Sequence, residues 1–177
     1  MRNAALMTDI PGEANISFDT AVRRREAQVL RIAYRMLGKW ADAEDVAQES
    51  FIRLHRHGLT DFPDDVALGA WLCRVTANLC LDRLRTRARW RTSGCEEMTA
   101  PGSSAESEAL RDEQKRLLMD ALKKLPERER AAVVLREIEG LSTAETAEAM
   151  GSTEVTVRSQ ISKALGRLRA LVTKEQR

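Results

Sequence analysis

The segment from Leu141 to Leu168 constrains the fold of this chain most. It reads Leu-Ser-Thr-Ala-Glu-Thr-Ala-Glu-Ala-Met-Gly-Ser, then Thr-Glu-Val-Thr-Val-Arg-Ser-Gln-Ile-Ser-Lys-Ala-Leu-Gly-Arg-Leu. The pattern predicts a helix, a tight turn at Gly151, and a second helix with a basic, hydroxyl-rich face. Ala147, Gly151 and Val157 stand where a helix-turn-helix needs them. A small residue lets the helices approach, a glycine permits the turn, and a β-branched apolar residue anchors the second helix. Such a unit usually places its second helix in the major groove of DNA.

The rest of the chain also reads as helix. Good helix formers dominate, and runs of alternating β-branched residues are few. Residues 1–16 hold Pro11, Gly12 and scattered polar residues and are expected to be mobile. Ser17 or Asp19 can cap a first helix, which Gly38 ends, with Val22, Val29, Ile32, Ala33, Met36 and Leu37 on one side. Asp42 is expected to open a second helix, with Val46, Phe51 and Leu54 buried. After a loop holding Pro63, Asp64 or Asp65 caps a third helix running to about Arg91. Its apolar residues Leu68, Trp71, Leu72, Val75, Leu79 and Leu84 keep helical spacing.

From Thr92 to Ser107 large apolar residues almost vanish among Gly, Ser, Pro, Thr and Glu. This composition marks a boundary. Beyond it, Leu110, Leu117, Leu118, Ala121, Leu122 and Leu125 form the next apolar stripe. Pro126 suits the first turn of the following helix, whose Ala132, Val133, Leu135 and Ile138 are expected to face inward. Ser142 and Glu145 make a capping-box pattern. The expected fold is all-α, with two small helical domains at 17–91 and 108–177 joined by a flexible acidic linker at 92–107.

Net charge over the 177 residues is only +2, so charge distribution carries more than the total. Five arginines (83, 85, 87, 89 and 91) occur within nine residues that hold no acid. Between Thr92 and Gln114, six acids face the single basic residue Arg111. A basic block beside an acidic block points to two different partner surfaces.

Other classes are excluded or weak. No apolar run approaches the roughly 20 residues of a membrane span, and no signal-peptide pattern opens the chain, so a soluble cytoplasmic protein is expected. Cys73, Cys80 and Cys95 make no metal-type pair, and His55 and His57 at i, i+2 point apart on a helix. Cys73 and Cys80 read as small buried residues. Neither a Gly-rich phosphate loop nor a catalytic constellation is present. No enzyme, cofactor or metal is implied.

Three segments together resemble bacterial RNA polymerase sigma factors of the extracytoplasmic-function (ECF) type, in the sigma-70 family. Asp42-Ala-Glu-Asp-Val-Ala-Gln-Glu-Ser-Phe-Ile-Arg-Leu54 is similar to the region 2 segment that docks on the polymerase clamp. Ala70 to Arg85 resembles the helix that melts and reads the −10 element. Leu125-Pro-Glu-Arg-Glu-Arg130 through Leu168 resembles region 4, which reads the −35 element. The order and the intervening tether match over residues 18–172, and nothing resembles region 3.

The resemblance implies partners and residues. Asp42, Asp45, Gln48, Glu49 and Ile52 would bind the polymerase core, the last four sharing one helical face at i, i+3, i+4, i+7. That face predicts a partner surface rich in Arg and Lys. Arg74, Asn78, Arg83, Arg85 and Arg87 would hold −10 DNA through phosphates and base edges. Asp61, in the loop Gly58–Asp65, would accept a hydrogen bond from a flipped base. Trp71 can stack on an unpaired base, but it shares a phase with Leu68, Val75 and Leu79, which favours the core.

In the last helix Thr156, Arg158, Ser159, Gln160, Ser162 and Lys163 would contact −35 DNA, with Arg158 and Gln160 reading bases. Thr146 and Ser152 stand where the family usually carries larger apolar residues, which predicts a looser helix-turn-helix core. The partners implied are the core polymerase (clamp of the largest subunit, and flap), promoter DNA and an anti-sigma protein. The alternative is a sigma mimic that sequesters an anti-sigma protein without binding DNA. The acidic tether would thread the cationic path that later carries RNA.

Overall fold

The computed structural model describes residues 17–92 and 109–175, with side chains described over 17–89 and 116–171. The N-terminal residues expected to be mobile, the acidic tether with Cys95, and the Arg91 side chain lie outside these residues. Among the described residues seven α-helices follow in order: α1 Phe18–Leu37, α2 Trp40–His57, α3 Asp65–Thr92, α4 Ala109–Lys123, α5 Glu127–Val133, α6 Thr143–Ala149 and α7 Glu154–Glu175. A single π-helical turn, Val134–Ile138, continues α5. No strand occurs among the described residues.

Local chemistry sets most helix ends. The Ser17 hydroxyl accepts the Thr20 N–H, and Gly38 closes α1 by donating its N–H to the Tyr34 carbonyl at 2.8 Å. The Asp64 carboxylate accepts the Ala67 N–H at 2.7 Å, so Asp64 is the cap of α3. The opening of α2 corrects the sequence expectation. The helix begins at Trp40, and Lys39 at the N-cap makes no side-chain bond. Asp42 sits inside the first turn, where an acid still suits the dipole, and its carboxylate reaches across to α3 instead.

Helices α1 to α3 enclose one apolar cluster of their own: Ala21, Val29, Ala47, Leu54, Leu68 and Leu72, with Phe51, Phe62 and Trp71 half-buried against it. Trp71 also meets the rings of His57 and Phe62 at centroid distances of 5.0 and 5.5 Å. Gly69 lets α1 and α3 approach. A Cβ there would lie 2.7 Å from the Arg25 guanidinium, which pairs with Asp65 at the start of α3.

The larger cluster joins the two halves of the chain. Ile32 and Met36 of α1 and Cys73, Ala77 and Cys80 of α3 belong to the same buried group as Leu122, Ala131, Val134, Leu135, Ala147 and Val157. The π turn suits this crowded position. From the end of α5 into this turn, Ala131 to Leu135 are all buried, where the helical spacing predicted an inward face of Ala132, Val133, Leu135 and Ile138. In α4 the inward face is also rotated from the expected one. Met119 and Leu122 are buried, whereas Leu117 and Leu118 are exposed.

Burial decides the cysteine chemistry. Desolvation pushes the thiols of Cys73 and Cys80 up to about 12. The thiolate is the nucleophile, so iodoacetamide at pH 8 is expected to leave both unmodified in the folded protein. Peptide mass spectrometry checks this, with denatured protein as the positive control.

Candidate functional site

A groove of about 790 Å³ runs between α1 and α2, lined by Phe18, Val22, Leu30, Phe51 and Ile52, with Asp45, Gln48, Glu26 and Glu44 at its sides. It brings together Asp45, Gln48 and Ile52, three of the residues expected to bind polymerase. Ile52 is 44% exposed. Glu49 leans away and pairs with Arg53 at 3.0 Å. Sequence reasoning missed the α1 side of this groove. Its signal was present in Leu30, and Val22, expected on the core side of α1, is instead half-buried and lines the groove. Phe51, expected in the core, is half-buried and lines the groove.

The residues expected at −10 DNA are not a bare cationic stripe. Arg83 places both Nη atoms 3.2 Å from Asp45 and donates to the Asp42 carbonyl at 3.3 Å. Arg87 pairs with the Asp42 carboxylate. The arginine run holds no acid within the sequence, yet α2 supplies two acids in space. Arg85 pairs with Asp82 on its own helix at 3.0 Å, and Arg74 pairs with Glu148 of α6. Asn78 is exposed. Asp61 lies on the loop after α2, 59% exposed, with its carboxylate 3.4 Å from His57 Nδ1. Among the described residues no cluster of His, Cys, Asp and Glu suited to a metal ion occurs.

The helix-turn-helix forms from α6 and α7. Gly151 makes the turn at φ +54°, a left-handed conformation that favours glycine. Ala147 and Val157 are buried between the two helices. The expected loosening around Thr146 does not occur. Thr146 is fully buried and donates its hydroxyl to the Ser142 carbonyl at 2.8 Å, and Met150 is buried as well. Thr153 caps α7 by accepting the Thr156 N–H at 3.2 Å. Thr156, Arg158, Ser159, Ser162 and Lys163 are exposed near the start of α7, and Arg158 pairs with Glu154 at 2.7 Å. The structure does not bring Gln160 to this face. Its side chain is half-buried and its amide oxygen is enclosed without a hydrogen-bond partner.

The capping box positions this unit. The Ser142 hydroxyl accepts the Glu145 N–H at 3.1 Å, and the Glu145 carboxylate accepts the Ser142 N–H at 2.8 Å. Bonding to the Ser142 side chain first, and to its backbone second, holds the Glu145 carboxyl below its ordinary value. A lowered folded-state value means that the stabilisation is present above the ordinary glutamate range and lost as pH falls through the lowered value. Ser142→Ala is expected to cost about 1 kcal/mol at pH 7. The gap between variant and wild type should narrow as pH falls below the ordinary glutamate range, as read from urea midpoints.

Comparisons with known proteins agree with this layout. Residues 21–90 match the family model described as Sigma-70 region 2, and residues 115–168 the one described as Sigma-70, region 4. The chain is 34% identical over 171 residues to the ECF RNA polymerase sigma factor SigM of Mycobacterium tuberculosis (strain Erdman), covering 96% of this chain and 84% of SigM. It is 39% identical over 163 residues to the ECF RNA polymerase sigma factor SigE of Mycolicibacterium smegmatis, covering 89% of this chain and 62% of SigE. Among solved structures, CnrH in complex with the cytosolic domain of CnrY superposes with a TM-score of 0.59 at 27% identity, covering 89% of this chain and 88% of that one. The sigma factor RpoE of Bartonella quintana, in complex with the anti-sigma factor NepR, gives 0.65 at 24% identity over 88% of this chain and 96% of that one, a likeness of fold.

Proposed function

Because the chain belongs to the sigma-70 family of RNA polymerase sigma factors, of the ECF type, and so directs RNA polymerase to promoters, we propose which surfaces do this work. The groove between α1 and α2 docks the clamp of the polymerase's largest subunit. Ile52 enters an apolar site there, while Asp45 and Gln48 meet Arg and Lys side chains. The exposed start of α7 reads the −35 element, with Arg158 on base edges and Ser159, Ser162 and Lys163 on phosphates. The middle of α3, around Arg74 and Asn78, holds the opened −10 strand, with Arg85 beside it and Asp61 on the adjoining loop.

The observation that carries the reading is the pairing of an exposed, acid-flanked Ile52 groove with an exposed hydroxyl- and base-rich recognition helix on one chain. Core polymerase supplies the chemistry, and this chain supplies position; it has no catalysis of its own. Its place of action is then the cytoplasm, where polymerase works. No helix among the described residues is long and apolar enough to cross a membrane. CnrH is solved in complex with the cytosolic domain of CnrY; this chain would also take a protein partner, an anti-sigma protein that holds it inactive by masking the surfaces named above.

The test is reconstitution with core polymerase and run-off transcription across the host genome. A discrete set of start sites sharing −35 and −10 sequences is expected. Initiation at no promoter, with polymerase active on its other sigma factors, overturns the reading.

A further inference from the structure

We propose that Val155 reads the 5-methyl group of a thymine in the −35 element, and so sets one base of the promoter sequence that this chain selects. The proposal rests on the assignment of the −35 face to α7 above and names one base contact within it.

Val155 is 70% exposed, against 38% for Leu165 farther along the same helix, while Val157 is fully buried. Each residue turns an α-helix by about 100°. Two steps therefore put Val155 on nearly the opposite side from the buried Val157. Positions 155, 158, 159 and 162 follow the spacing i, i+3, i+4, i+7, so they share one face. Val155 thus stands beside Arg158, Ser159 and Ser162, all of them exposed, and is the apolar member of that set.

The first turn of α7 fixes its direction. The Thr153 hydroxyl accepts the Thr156 N–H at 3.2 Å, and the two threonine hydroxyls lie 2.9 Å apart. Glu154 pairs with Arg158 at 2.7 Å. A side chain branched at Cβ has one strongly preferred rotamer in a helix. The Val155 methyls are therefore presented rigidly and lose little entropy on contact. In the free chain they face water; a contact with an apolar group removes that exposure.

DNA offers such a side chain one partner. Phosphates call for hydrogen-bond donors or charge, which valine lacks. Base edges in the major groove present donors and acceptors, and the thymine 5-methyl is the apolar group among them. The first residues of a recognition helix are the ones that reach those edges. Val155 and Arg158 are about 4.5 Å apart along the helix axis, three steps of about 1.5 Å. Base pairs are spaced at about 3.4 Å, so the thymine belongs within about two base pairs of the pair that Arg158 reads.

The full chain with core polymerase gives the test, on a promoter found by the run-off survey. Each thymine of the −35 element, on both strands, is replaced singly by deoxyuridine, which removes the methyl and keeps the pairing. With wild-type chain one replacement should weaken binding about fourfold, the loss of one buried methyl contact. That thymine should lie within about two base pairs of the pair at which Arg158→Ala relaxes sequence preference. Val155→Ala should weaken binding to the unmodified promoter by a similar factor and be indifferent to the same replacement. Alanine is the better helix former and the position is exposed, so the fold is not at risk; an unmoved urea midpoint checks this. No thymine with a methyl effect, or a penalty that Val155→Ala keeps, overturns the proposal. Failure of the promoter-reading function registers separately, as no initiation by wild-type chain with core polymerase.

Discussion

Leu135→Ala is expected to lower unfolding free energy by about 2–5 kcal/mol and to shift the unfolding of both halves together. Leu135 is fully buried, within the π turn. Truncation removes apolar contacts and leaves a cavity that surrounding helices fill only in part. Its position makes the effect informative. The buried cluster holding Leu135 also holds Ile32 and Met36 of α1 and Cys80 of α3, so loss of the second half strips cover from the first. The three tryptophans, Trp40, Trp71 and Trp90, all lie in the first half. Tryptophan fluorescence therefore reports the first half, while circular dichroism reports all the helices. Coupled halves predict that Leu135→Ala moves both urea midpoints to the same lower value. Independent halves on a tether predict an unmoved fluorescence midpoint, and that result would show that the shared core contributes nothing to cooperativity in solution.

Features fixed by neighbours in sequence were legible without a structure. Ser17, Gly38, the Ser142–Glu145 box and Gly151 act within one helical turn of themselves, so their chemistry is complete in the local sequence. The core face of α1 from Val29 to Leu37 was legible for the same reason: its period is a property of the helix alone. Features fixed by partners distant in sequence were not. Asp42 and Arg87 read as parts of two surfaces because nothing local says that α2 lies against α3. The α4 stripe had apolar residues on more than one face, and only packing decided that Met119 turns in and Leu117 turns out. Gln160 fits the register of the recognition helix, yet its side chain is half-buried. The buried run Ala131–Leu135 was read with one inward face, but the shared core covers it on all sides, which no local period shows.

Ile52→Arg is expected to weaken core-polymerase binding by about 2 kcal/mol or more, roughly 30-fold, while leaving stability within about 0.5 kcal/mol. The side chain is exposed, so the fold does not depend on it. Its surroundings make it an anchor: Phe51 and Leu30 form the apolar part of the groove, and Asp45, Glu44 and Glu26 ring it. A partner matched to that ring is cationic at its edge and apolar at its centre, so an arginine at 52 removes the anchor and adds like-charge repulsion. Ile52 is a cleaner probe than Asp45. Substituting Asp45 also takes one of the two acids from Arg83, so a loss of polymerase contact would be mixed with a change of charge balance near the −10 strand. Ile52 makes no such second contribution. Equilibrium binding of the full chain to core polymerase, at two salt concentrations, provides the measurement. Lost affinity at both salts, with an unchanged urea midpoint, supports the groove as the docking site. Wild-type affinity of Ile52→Arg would move docking to another face of the chain.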